Sequence, residues 1–257
     1  MDILTEKKGE IWTIIINRPE AKNSVNGDTA LMLANAFREF DQDDTAKVAV
    51  LWGSGGSFCA GADLKAIAGK SAAKPNSMST DMSEDGPMGP SRMHLSKPVI
   101  AAVSGYAVAG GLELACWCDI RVVEEDVVFG VYCRRFGVPL IDGGTQRLPR
   151  LIGMSRALDM IITGRSVYAE EALSMGLANY VVSQGKAREK AEELALKVAA
   201  WPQVCMRSDR EAVYDGFDLN FDQAMQQEFA KGMEVVNSGE TVAGASRFSQ
   251  GIGRVLP

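Results

Sequence analysis

Ser104-Gly105-Tyr106-Ala107-Val108-Ala109-Gly110-Gly111-Leu112-Glu113-Leu114-Ala115-Cys116-Trp117-Cys118-Asp119 is the stretch that decides the fold of this chain. It follows Pro98-Val99-Ile100-Ala101-Ala102-Val103, an unbroken apolar run of the kind that forms a strand buried on both faces in a parallel sheet. Small residues lead into Gly110-Gly111, where backbone without a Cβ approaches a neighbour closely. Leu112, Leu114 and Ala115 then begin a short apolar helix. A strand, a glycine turn and a helix N-terminus together place free N–H groups and a positive dipole end at one point. That point suits a phosphate, or an oxygen that gains negative charge during a reaction. Glu113 sits in the first turn beside it.

Working outward, the same arrangement occurs once more upstream. The apolar run 48–52 predicts a buried strand, which enters Gly53-Ser54-Gly55-Gly56-Ser57 and then Phe58-Cys59-Ala60-Gly61-Ala62-Asp63-Leu64. The second passage reads as a strand running through glycines to a helix start, with Asp63 as its cap. The β-branched run 11–16 predicts a strand ending at Asn17-Arg18-Pro19. Asp28 is the expected cap of a helix through Leu31, Leu33, Ala34, Phe37 and Phe40, whose spacing is helical. Past Asp119, residues 120–123 and 127–129 read as strands, and 134–149 as basic residues mixed with turns. Helices are expected over 155–162 and 169–175, with Gly164 and Gly176 as stops. After a strand at 180–182 the pattern is wholly helical, over 187–201, 204–214 and 221–236. Strands alternating with helices indicate an α/β domain with largely parallel strands. The expected division is a core over 1–185 and a helical region over 186–257 for packing and oligomerisation, with Phe221, Met225, Phe229 and Met233 forming an apolar edge.

Residues 69–91 break the pattern. Ser, Ala, Lys, Pro, Asn, Met and Gly dominate, and no hydrophobic period is sustained. The segment reads as a surface loop or as a mobile lid, and its length between the two glycine turns favours the lid.

Composition narrows the classes. The 257 residues suffice for a sizeable core, and 46% apolar with 23% charged residues is ordinary globular composition. A net charge of −6 argues against a general nucleic-acid-binding role. Asp2, Glu6, Lys7 and Lys8 interrupt the start where a signal peptide would be apolar, and no apolar run reaches membrane-spanning length. The five cysteines are odd in number and irregularly spaced, which suits a reduced cytoplasmic protein. Cys116 and Cys118 make no zinc pair, because no second pair accompanies them and His94 is the chain's only histidine. No metal is expected.

The two strand–glycine–helix junctions together resemble the paired signatures of the crotonase (enoyl-CoA hydratase/isomerase) family. Asn17-Arg18-Pro19-Glu20-Ala21-Lys22-Asn23, Gly143-Gly144-Thr145-Gln146-Arg147-Leu148, Thr163-Gly164-Arg165 and Ala169-Glu170-Glu171-Ala172-Leu173-Ser174-Met175-Gly176-Leu177 match its other recurrent segments in order. The resemblance spans essentially the whole chain. It implies an α/β crotonase-like spiral of repeated ββα units with a C-terminal helical region, assembled as a trimer or a dimer of trimers. It also implies an acyl-CoA substrate, with coenzyme A as the substrate's handle and no further cofactor. The thioester oxygen would receive two backbone N–H bonds, by position from Ala62 and Gly110, and these would stabilise enolate-like charge. Glu113 matches one of the two glutamates with which the family's hydratases add water across the double bond. As a plain first-turn carboxylate it would be worth about 0.3–1 kcal/mol.

The second family glutamate is replaced here by Cys133. A neutral thiol is a poor proton donor to carbon, so Cys133 is read as lining the pocket. Asp142 lies close to where some isomerase relatives carry a catalytic aspartate, and it is equally read as part of an Asp-Gly-Gly turn. The resemblance further places Lys22, Ala60, Asp63 and Leu64 at the substrate, with Lys22 the best-placed cation for CoA phosphates over Arg18 and Lys65. His94 matches nothing in the family and is read as structural. Hydration of a 2-enoyl-CoA to a 3-hydroxyacyl-CoA is the leading expectation. A double-bond isomerase is next, and a non-catalytic acyl-CoA-binding subunit is the alternative outside catalysis.

Overall fold

The computed structural model describes residues 1–251. The strands and helices of the body are, in chain order, β1 (Ile3–Lys8), β2 (Ile11–Ile16), α1 (Gly27–Gln42), β3 (Val48–Gly53), α2 (Leu64–Ile67), β4 (Val99–Val103), β5 (Tyr106–Val108), α3 (Gly110–Trp117), β6 (Ile120–Glu124), β7 (Val128–Gly130), α4 (Gly144–Ile152), α5 (Met154–Thr163), β8 (Ser166–Tyr168), α6 (Ala169–Ser174), β9 (Tyr180–Val182) and α7 (Ala187–Ala199). The runs that are apolar at every position became the centre of the larger sheet. Its order is β1-β2-β3-β4-β6-β9, parallel throughout except for the antiparallel β1–β2 hairpin, in which Ile3 faces Ile16. Every residue of β2 and β4 is buried, as expected of strands covered on both faces.

A smaller sheet, β5-β7-β8, forms a second layer. It is extended by isolated pairings of Cys59 with Ala107 and of Val25 with Ala62. The 58–62 passage is therefore extended chain held by single bridges rather than the full strand expected from its sequence. Both layers turn through glycines where they meet. A Cβ on Gly105, whose φ is +52°, would lie 2.3 Å from the Gly56 carbonyl oxygen, so only glycine lets these two turns touch.

Helix α1 begins at Gly27, and its cap is Asn26, whose Oδ1 accepts the Thr29 N–H at 2.9 Å. Asp28, expected as the cap, instead lies in the first turn and is exposed. A first-turn acid gains from the helix dipole wherever the cap lies, which is why the two positions are hard to separate by residue type. Phe37 of α1 meets Trp117 of α3 edge to face with centroids 4.8 Å apart, fixing the central helix against the sheet. Lys97, though charged, is buried, and its Nζ donates to the carbonyls of Phe40 (3.0 Å) and Asp43 (2.7 Å) at the end of α1. It thus satisfies carbonyls that the helix leaves orphaned.

The chain divides into two compact units, Met1–Ala195 and the residues from Leu196 onward. The first two turns of α7 belong to the body because Ala187, Ala191 and Ala195 form a fully buried stripe. Glu192 in the same turns accepts from Lys8 Nζ (2.9 Å) and Thr13 Oγ1 (3.0 Å). The second unit contains α8 (Gln203–Gly216), α9 (Phe221–Asn237) and α10 (Glu240–Ser249). Lys231 of α9 bridges Glu211 and Asp215 of α8, and the Glu240 carboxylate accepts the Val204 and Cys205 amides. Among the described residues, no helix is long and apolar enough to cross a membrane.

Candidate active site

Gly110 opens α3 directly after Ala109, which holds φ +53° and ψ −125°, a conformation that ordinary side chains avoid. Such backbone costs on the order of 1–3 kcal/mol and survives only where the surroundings over-determine it. Here the Ala109 N–H is pinned to the Gly130 carbonyl at 2.9 Å. Gly61 lies against this turn: a Cβ on it would stand 2.9 Å from the Gly110 nitrogen and 2.9 Å from the Ala109 Cβ. The bridge between Val25 and Ala62 uses the Gly61 carbonyl (2.8 Å) and the Asp63 amide (2.9 Å), so the Ala62 N–H takes no part in it. The two glycine junctions, about fifty residues apart, are thus in contact at Gly61 and Gly110.

Glu113 is buried three residues further along α3, on the same face as Gly110. Its Oε1 accepts the amides of Asp142 (2.9 Å) and Gly144 (2.8 Å). Burial, reinforced by the charge of Asp142, pushes its pKa up from 4.5 to about 7 against these two hydrogen bonds. Gly144 opens α4, and a Cβ there would press on Glu113 Cγ and Oε1 at 2.9 Å. Gly144 therefore makes room for the glutamate, while Gly143 makes room for the Arg147 guanidinium.

Asp142 is buried beside it. Its Oδ1 accepts the Met88 amide at 2.9 Å and the Ser91 hydroxyl. Burial raises its pKa, opposed by Ser91, Met88 and the positive charges of Arg92 and Arg147. Among the described residues, neither Glu113 Oε2 nor Asp142 Oδ2 accepts a hydrogen bond. Each carboxyl thus has one oxygen tied down and one without a hydrogen-bond partner among the described residues. Cys133, in the 3-10 turn Tyr132–Phe136, is buried near this pair, and its thiol is pushed up by burial and then by the Glu113 charge.

The residues expected at the substrate gather at the 58–64 junction. Lys22 is exposed, with Nζ 4.5 Å above the Tyr106 ring, and its carbonyl accepts the Ala60 amide at 3.0 Å. Leu64 and Lys65 are exposed at the start of α2. Asp63 is committed locally: Oδ1 caps α2 through the Lys65 and Ala66 amides, and Oδ2 accepts from Arg18 at 3.0 Å. Burial works to raise its pKa, and the Arg18 and backbone hydrogen bonds outweigh it, leaving the value lowered. Arg18 is occupied by Asp63, Asp2 and the Ser24 carbonyl. His94 is exposed past the 3-10 turn Pro90–Arg92, not in a helix end.

Sequence reasoning missed the contribution of residues 86–92. Met88 is fully buried against Gly110, and Met88 and Ser91 both donate to Asp142. Arg147 joins the two segments, donating to the carbonyls of Asp142 (2.9 Å) and Ser91 (2.8 Å). No periodicity marks these residues, since their partners lie about fifty positions away.

The geometry is two glycine junctions in contact at Gly61 and Gly110, with the buried carboxyls of Glu113 and Asp142 on or beside the helix that Gly110 opens. The family model for enoyl-CoA hydratase/isomerase matches residues 6–250. The chain is 33% identical over 256 residues to the enoyl-CoA hydratase EchA19 of Mycobacterium tuberculosis, covering 97% of this chain and 94% of that protein. It is 34% identical over 232 residues to the crotonyl-CoA hydratase of Syntrophomonas wolfei, covering 88% and 86%. A crystal structure of an enoyl-CoA hydratase from Mycobacterium tuberculosis superposes with a TM-score of 0.91 at 34% identity, covering 98% of this chain and 96% of that one. Sequence over nearly the full length and a shared spiral of sheets and helices agree: the chain belongs to the enoyl-CoA hydratase/isomerase family.

Proposed function

We propose that this chain hydrates a 2-enoyl-CoA to a 3-hydroxyacyl-CoA. The Ala62 and Gly110 N–H groups receive the thioester oxygen, whose charge grows as water's oxygen bonds to the β-carbon. A proton then reaches the α-carbon, so the reaction needs one basic and one acidic group. Glu113 and Asp142 together supply both: burial raises the pKa of each, and the Asp142 charge raises that of Glu113 further, so that one of them can hold a proton while the other is ionised. The observation that carries this reading is the buried Glu113 on the helix that begins at Gly110, its Oε1 held by two amides and its Oε2 without a hydrogen-bond partner among the described residues. Lys22, exposed beside Ala60, meets the CoA phosphates, while Leu64 and Cys133 line the bound substrate. Asp63 serves the site by capping α2 and holding Arg18. Hydration transfers no electrons, so coenzyme A within the substrate is the only carrier required.

Double-bond isomerisation is the second reading, favoured by Cys133 standing where the family's second glutamate would be. Incubation with crotonyl-CoA in deuterated water separates the readings. Hydration gives a deuterated 3-hydroxy product, isomerase chemistry gives label exchange without water addition, and a pure binder gives neither. Asp142→Asn is expected to lower hydration at least about tenfold. If Cys133→Glu instead raised hydration by orders of magnitude while Asp142→Asn had no effect, Asp142 would be a turn residue only.

The family reading extends to assembly: the helical region closes a trimer or a dimer of trimers. Phe221, Phe229 and Phe248 support it, being 77%, 70% and 61% exposed on α9 and α10, more apolar surface than water-facing helices carry. Light scattering at micromolar concentration is expected to give at least a trimer mass, and a monomer mass would refute this. Five unpaired cysteines, four of them buried, support a reducing compartment such as the cytoplasm.

A further inference from the structure

We propose that Ser91 is a positioning residue for hydration, fixing Asp142 so that its second carboxylate oxygen faces the reacting substrate. This rests on the reading of Asp142 as the second carboxyl. The turn that carries Asp142 does not hold its side chain. In an ordinary Asp-Gly-Gly turn the aspartate caps amides of its own turn. Here the Gly144 N–H, two residues on, is given to Glu113 instead, together with the Asp142 N–H. The Asp142 carboxylate receives both of its donors, the Met88 amide and the Ser91 hydroxyl, from a segment about fifty residues earlier. With both on Oδ1, the carboxyl is held and Oδ2 is left without a partner among the described residues.

The surroundings are shaped for this contact. Ser91 is 2% exposed, and a Cβ on Gly86 would stand 1.9 Å from its Oγ and 3.0 Å from Asp142 Oδ1. Asn76 anchors the segment, donating from Nδ2 to the carbonyls of Pro87 (2.8 Å) and Val25 (3.1 Å). Arg147 locks the other side by gripping the Ser91 and Asp142 carbonyls. The charged groups that face Asp142 are Glu113 on α3, Arg147 on α4 and Arg92 in the 3-10 turn. The Ser91 hydroxyl and the Met88 amide are the neutral donors to Asp142, and both stabilise its ionised form.

The test is a cycle of Ser91→Ala, Asp142→Asn and the double variant in the full-length protein, read on crotonyl-CoA across pH. Ser91→Ala is expected to lower kcat about tenfold while KM stays within about twofold. Loss of the donor raises the lower of the pair's two apparent pKa values. The acid limb of the kcat profile therefore moves to higher pH and the bell narrows. In the Asp142→Asn background the same substitution is expected to cost nothing further. Ser91→Thr, which keeps the hydroxyl, is expected to retain the wild-type profile. If Asp142→Asn lowers kcat and Ser91→Ala leaves both kcat and profile unchanged, Ser91 is not a positioning residue and the reading of Asp142 stands. If Asp142→Asn itself leaves kcat unchanged, that reading and this inference both fail. Equal losses from Ser91→Ala with and without Asp142 overturn the inference, since Ser91 then acts on packing alone.

Discussion

Glu113→Gln is expected to lower hydration of crotonyl-CoA about 10³-fold, within the range set by losing a positioned acid or base. The same variant is expected to melt higher than wild type at pH 8. Glutamine keeps the oxygen that accepts the Asp142 and Gly144 amides, so the local hydrogen bonds survive. What it removes is a carboxyl whose pKa burial has raised from 4.5 to about 7. A group with a raised folded pKa contributes its full stabilisation below the unfolded value and loses it as pH rises through the folded one. At pH 8 wild type therefore folds with a charge it disfavours, at roughly 3 kcal/mol by the usual conversion of about 1.4 kcal/mol per pH unit. For a chain of this size that corresponds to a rise of roughly 5 °C or more in Tm on substitution, and the rise should vanish by pH 4. Calorimetry at the two pH values, with turnover measured in parallel, checks both halves. A glutamine variant that retains activity removes Glu113 from the chemistry, and one that melts lower at pH 8 removes the claim of a strained charge.

Gly61→Ala is the second large effect. Gly61 holds φ +91°, and a Cβ there would meet the Gly110 nitrogen at 2.9 Å and the Val108 carbonyl at 3.1 Å. The contact atoms are backbone, so relief requires the two glycine junctions to move apart. If Ala62 and Gly110 share one oxygen of the thioester, that movement removes a donor, and kcat is expected to fall about 10²–10³-fold. Gly56→Ala is the control, because Gly56 has φ +79° with nothing near its added Cβ. It carries the backbone strain without the collision and is expected to lower Tm but not kcat. Equal kcat for the two variants would show that the contact at Gly110 has no part in turnover.

Legibility in the sequence followed physical locality. The runs at β3 and β4 were readable because strands covered on both faces are apolar almost throughout, and β2 because it is β-branched and apolar but for Thr13. β1 was not, since Glu6, Lys7 and Lys8 belong to an exposed edge strand of the hairpin whose pairing, not apolarity, makes it a strand. Helix α4 was hidden by Pro149, its sixth residue, which in so short a helix forfeits only the bond to the Thr145 carbonyl in the first turn. Short β5 and β8 leave too few residues for an alternation to register.

The same division runs through the site. Residue order by itself determined the two glycine junctions, the glutamate one turn into α3, and Asp63 as the cap of α2, because each depends on neighbours within a few positions. It also determined family membership, which rests on such local signatures recurring in order along the chain. Only the tertiary structure decided whether Asp142 is a turn residue or a buried carboxyl facing Glu113, and only it brought in Met88, Ser91 and Arg147. Hydrogen bonds across fifty residues leave no periodicity behind. Nor is the pKa of a carboxyl a property of its residue type: it follows from burial, nearby charge and donors that exist only once the chain has closed around it.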